Sequence, residues 1–137
     1  MKRKFYHVYG KAKTTDGKEH AVTVVGEFVQ TRDASTVVET VDVETKPNSF
    51  VQGELKYNIK HLKRKLTLGM SICHPKDDFD EEVGIKVAKK RIKLGQDLGT
   101  IETNDVTMLT EDAIYAELVV KLNHIIENID EYVPNED

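Results

Sequence analysis

Leu66-Thr67-Leu68-Gly69-Met70-Ser71-Ile72-Cys73-His74-Pro75 is the stretch whose reading decides the fold. Leu66, Leu68, Met70 and Ile72 fall on one side and Thr67, Gly69, Ser71 and Cys73 on the other, the period of two that a β-strand requires. Pro75 ends it, having no N–H for a sheet ladder. Everything before this strand has β character, and everything after it has helical character.

Upstream, Phe5, His7 and Tyr9 alternate with Tyr6, Val8 and Gly10, a first strand. Asp16-Gly17 is the dipeptide favoured by a type I′ hairpin turn. The return strand, Ala21 to Val29, is almost continuously apolar, as in a central strand covered on both faces. Gly26 within it marks a bulge or a close backbone approach. A separate third strand is expected over Thr36–Glu44, with Val37, Val41 and Val43 on one face and Thr40, Asp42 and Glu44 on the other. Lys46-Pro47-Asn48-Ser49 is a turn cluster. From Phe50 to Lys65 the pattern is weakest: Phe50, Leu55, Tyr57, Ile59 and Leu62 suit a strand poorly and a short helix only slightly better.

Downstream, Asp77 or Asp78 is placed to cap a helix running from about Asp80 to Leu94, with acidic residues first, lysines late and Gly95 as the stop. At ~100° per residue, Phe79, Val83, Val87 and Leu94 cluster on one side of it, and Ile85, Ala88 and Ile92 on nearly the opposite side. Gly99–Thr103 reads as a short edge strand. Thr110 caps a last helix whose core-facing stripe is Ile114, Leu118, Leu122, Ile125, Ile126, Ile129 and Val133. The expectation is an α+β fold: an N-terminal antiparallel β-sheet followed by two C-terminal helices packed on it. The 137 residues form one domain, with the sheet part in 1–74 and the helical part in 75–133.

Composition bounds the function. With 24 acidic against 20 basic side chains the net charge is −4, which makes nucleic-acid binding unlikely as the main task. No apolar run approaches the ~20 residues of a membrane helix. The 1 cysteine has no intramolecular disulfide partner, and without a leader pattern the expected location is the cytoplasm. His7, His20, His61, Cys73, His74 and His124 show none of the spacings of a zinc site, and no cofactor motif is present, so neither metal nor cofactor is expected. Cys73 and His74 are adjacent on an extended chain and point to opposite faces, so a thiol–imidazole pair is not expected. Asp77, Asp78, Asp80, Glu81 and Glu82 are accounted for by helix capping. Lys60–Lys65 is either a phosphate contact or a solvated, edge-guarding run. Arg91 projects between the two apolar groups of its helix. There it meets a carboxylate, a subunit or an anionic ligand, or it snorkels at the edge of the core.

The segment Ile72–Arg91, ICHPKDDFDEEVGIKVAKKR, resembles a pattern C-x-P-x-D-x-F-x-x-x-x-G-x-x-x-A-x-x-R of small phage and prophage proteins. Together with the length and the sheet-then-helix order, it is similar to the first Thoeris anti-defence family. Those proteins are phage-encoded oligomeric sponges that sequester cyclic ADP-ribose-type signalling nucleotides without cleaving them, holding the ligand between protomers with an aromatic residue and arginines. The resemblance implies a non-enzymatic protein in the host cytoplasm that binds a small anionic nucleotide through Phe79 and Arg91, with Lys90, His74 and Lys76 nearby. The chain departs from that family in having no arginine on its last helix. The alternative is a phage accessory protein that binds a host protein or nucleic acid through a charged surface. A homo-oligomer, a dimer or a multiple of it, is expected because a two-layer domain buries only one side of the helix at 80–94.

Overall fold

The computed structural model describes residues 2–75, 78–105 and 107–133. Its centre is an antiparallel sheet in the simple order β1-β2-β3-β4, formed by β1 (Lys2–Lys13), β2 (Glu19–Lys46), β3 (Ser49–Ile72) and β4 (Gly99–Thr103). Helices α1 (Glu81–Lys93) and α2 (Glu111–Glu127) follow β3 and β4 respectively, and a single turn, α3 (Ile129–Tyr132), closes the described chain. This is the α+β architecture that the sequence pattern calls for.

The two main helices lie on opposite faces of the sheet. Val22, Val24, Phe28, Leu66 and Leu68 pack with Ile114, Leu118, Leu122, Ile125 and Ile129 on the α2 side. Val25 packs with Ala88, Ile92 and Ile85 on the α1 side. Val22, Val24 and Val25 are fully buried, which explains the unbroken apolar run of the return strand. The two-layer arrangement assumed for the oligomer argument is therefore replaced by three layers. Gly69 makes the α1 layer possible: a Cβ there would sit 2.6 Å from Ile92 Cγ1 and 2.8 Å from the Ala88 carbonyl oxygen. Gly26 is a close approach rather than a bulge, with Leu118 and Leu66 side chains 3.0 Å from where its Cβ would lie.

Several local expectations change. Gly17 alone has positive φ in the first hairpin, and its N–H donates to the Thr14 carbonyl, so the turn is a type I turn followed by a left-handed glycine, not type I′. Asp80 caps α1 by accepting from the Glu82 N–H, in place of Asp78; Asp77 lies outside the described residues. The expected third strand is the continuation of β2, because nothing between Val29 and Thr36 turns the chain. Phe50–Lys65 is likewise continuous with β3.

These continuations make the unusual feature of the molecule. β1 pairs with β2 only as far as Gln30, and β4 pairs with β3 only over Arg64–Leu68. From Thr31 to Lys63 the two long strands run on as a two-stranded arm closed at Pro47-Asn48, where Asn48 takes a φ of 62°. At ~3.3 Å per residue the arm is roughly 50 Å long, and none of residues 31–63 is buried.

Candidate functional site

The largest hollow lies where β3 ends. It measures about 490 Å³ and is walled by the 14–18 turn, by Ile72 to Pro75, and by Asp130 and Val133 of the C-terminal segment. Its shape depends on a clamp between distant parts of the chain. The Thr15 N–H donates to Asp130 Oδ1 at 2.9 Å and its hydroxyl to Oδ2 at 2.7 Å. Those two bonds hold the Asp130 carboxyl below its ordinary range, and a bond from the Thr14 hydroxyl does the same for Asp16. His20 is buried, with Nδ1 3.3 Å from the Cys73 carbonyl oxygen. A carbonyl only accepts, so Nδ1 carries the proton. Lys18 and His74 complete the polar lining, against apolar Ile72, Pro75 and Val133.

A smaller hollow of about 230 Å³ shares Cys73, His74 and Pro75 with the first and adds Lys11, Glu19, Asp78 and Phe79. Lys11 and Glu19 are 3.7 Å apart across it. Phe79 also packs its ring 5.7 Å from that of Tyr9. Beside it Glu81 meets His7 at 2.9 Å, and Lys89 sits 4.2 Å over the Phe5 ring, so the outward row of β1 holds one flank of α1.

The five residues expected at the site separate into groups. His74 and Phe79 come together at the end of β3. Lys90 and Arg91 lie at the far end of α1, roughly 15 Å along at ~1.5 Å per residue. Arg91 Nη1 donates to the Met70 carbonyl oxygen at 2.9 Å, capping the edge of β3 just beyond the end of β4. Its partner is thus a backbone carbonyl, which was not among the partners considered from sequence. Lys76 lies outside the described residues.

The sequence did not point to Thr15, Lys18, His20 or Asp130. Asp16-Gly17 announced the turn, but its partner lies 115 residues away, and no local pattern encodes that distance.

The Cys73 thiol donates to the carbonyl of the adjacent His74 at 3.5 Å. Among the described residues no group of three or more His, Cys, Asp or Glu side chains is placed to hold a metal ion. No described helix is long and apolar enough to cross a membrane. No family model, curated protein or solved structure matches this chain.

Proposed function

We propose that the protein is a non-catalytic binding protein that sequesters a small anionic nucleotide, with the anti-defence role implied by its likeness to the Thoeris anti-defence proteins. The observation that carries the reading is the cleft at Cys73–Pro75. Its volume of about 490 Å³ falls in the range of small-molecule sites, ~300–1,000 Å³. Lys18, His20 and His74 supply cationic or donating groups for phosphate, and Ile72 and Val133 supply apolar wall for a base or ribose. Phe79 borders the adjoining hollow with Lys11. Lys90 and Arg91 are too far along α1 to share that ligand within one protomer, so in this reading they serve a site between protomers. Val83, Val87 and Leu94 on the outer side of α1 are exposed and available to a homo-oligomer. The setting is the cytoplasm of the infected host cell.

Thermal-shift screening against cyclic ADP-ribose-type nucleotides, ADP-ribose and NAD tests the proposal. A ligand at 100 times its Kd raises native stability by ~2.7 kcal/mol. His74→Ala and Lys18→Ala should abolish the shift, and the nucleotide should be recovered chemically unchanged. No shift with any of these nucleotides refutes the sequestering function. Turnover that vanishes in Cys73→Ala refutes its non-catalytic character.

The second reading, binding of a host protein or nucleic acid through a charged surface, draws on the exposed Lys56, Lys60 and Lys63 of the arm. Binding there would weaken steeply with salt.

A further inference from the structure

A two-stranded ribbon is marginal in water, and three or more strands with an apolar face are needed for independent stability. The arm is such a ribbon. By its register, Val37, Val41, Val43, Val51, Leu55, Tyr57 and Ile59 share one face. The carboxylate on that face, Glu39, accepts the Tyr57 hydroxyl at 2.7 Å.

The two edges of the arm differ. The β2 edge carries Glu39, Asp42 and Glu44 towards the tip. The β3 edge has no ladder neighbour from Ser49 to Lys63, since β4 covers only Arg64–Leu68. Leu68 and Met70 present their carbonyls outward, to Leu98 N and Arg91 Nη1. By alternation, Gln52, Glu54, Lys56, Asn58 and Lys60 direct their backbone groups to that same edge.

We infer that this edge is a dimer seam: β3 of one chain pairs antiparallel with β3 of a second copy, about a two-fold axis at Leu55. That register sets Glu54 opposite the partner's Lys56, and by symmetry does so twice. Opposite charges facing each other across strands stabilise a pair, and like charges destabilise it. Val51 falls opposite the partner's Ile59, Leu55 opposite the partner's Leu55, and Tyr57 opposite the partner's Gly53, where an aromatic ring covers a residue with no side chain. The lengths also agree. Ser49 reaches the partner's His61, three residues short of Arg64, where that chain's own β4 takes over the edge. The result is a four-stranded arm with its apolar rows aligned on one face. Its two-fold symmetry gives a closed dimer.

The other occupants fit less well. Self-pairing of the β2 edge would bring the acidic residues of two copies together. A nucleic acid would meet Glu39, Asp42, Glu44 and Glu54 over the outer half of the arm. Lysines that only guard an edge would repel an identical neighbour, whereas here Glu54 answers Lys56. The inference does not rest on nucleotide binding and stands or falls separately from it.

Sedimentation of the full chain at about 50 µM gives the first test: a mass twice the 15.6 kDa of one chain is expected. Glu54→Lys and Lys56→Glu should each weaken the dimer at least tenfold by setting like charges opposite. The double variant, and an equimolar mixture of the two single variants, should both recover it. With Cys73→Ser as background, Leu55→Cys should cross-link under mild oxidation and Val43→Cys should not. A monomeric wild type overturns the inference, whether or not its arm retains duplex DNA. So do single variants that stay fully dimeric, or a charge swap that restores nothing.

Discussion

Strands β2 and β3 each live in two environments. Over Glu19–Gln30 and Arg64–Ile72 they are central strands, flanked by β1 and β4 and covered by a helix on each face. Over Thr31–Lys63 the same two strands pair only with each other, and no residue is buried. Backbone pairing is the same in both halves, so what differs is how much apolar surface leaves water. Strand geometry alone therefore does not stabilise this protein, and the second layer does. In the inner half that layer is supplied by α1 and α2. In the outer half it has to come from outside the chain.

The comparison breaks most visibly in the core. Leu118 is fully buried between α2 and the sheet, and Leu118→Ala should cost ~2–5 kcal/mol through lost transfer energy and the cavity left behind. Chemical denaturation measures this, and a loss near that expected for an arm substitution would erase the distinction. Gly69→Ala comes next. Its new Cβ would lie 2.6 Å from Ile92 Cγ1, with a backbone oxygen behind it, so α1 must shift. Overpacking of this kind costs ~1–3 kcal/mol, while α2 and its face should be unaffected. Hydrogen exchange would separate the two faces.

Arg91→Ala should lower stability by ~1 kcal/mol, the net worth of a hydrogen bond to the Met70 carbonyl. An unchanged melting temperature would mean that the bond contributes nothing and that the side chain merely lies along the surface. In the arm, Val41→Ala should change the stability of the dilute chain by no more than ~0.5 kcal/mol. Arm amides should exchange quickly at low concentration and become protected as concentration rises. Protection independent of concentration would show that the arm is covered within one chain.

The smallest effect is acid-dependent. Asp130 titrates below its usual 3.8 because the folded state hydrogen-bonds its carboxylate to Thr15. Its contribution is therefore complete above that value and is lost as pH falls through the lower folded one. The melting difference between the wild type and Asp130→Ala should be present at pH 7 and shrink below about pH 4. A difference that grows in acid would reverse the sign of this coupling.

How much of this was legible depended on burial. Leu66–Ile72 and Ala21–Val29 read clearly because helices press on them, and burial imposes a pattern. Phe50–Lys65 read poorly because an unburied arm imposes little pattern, although its alternate residues do share a face. At the candidate site, His74 and Phe79 were found because the Ile72–Arg91 motif contains them both. His20, Lys18 and Asp130 were not, because the cleft joins segments far apart in the chain.

By itself the sequence determined the element types, the caps and the chain direction. Alternation, turn chemistry at Asp16-Gly17 and Pro47-Asn48, and the helical stripe of Ile114 to Ile129 are local properties. They act over a few residues, and secondary structure responds to them directly. The tertiary structure alone decided that α1 and α2 take opposite faces, that Arg91 spends its donor on the Met70 carbonyl, that Thr15 and Asp130 meet to shape a cleft, and that the sheet runs out into an arm. Each of these depends on which surfaces compete for burial across the whole chain. Such a competition is settled by the total area removed from water and by the space a glycine leaves open, and neither is written in any short run of residues.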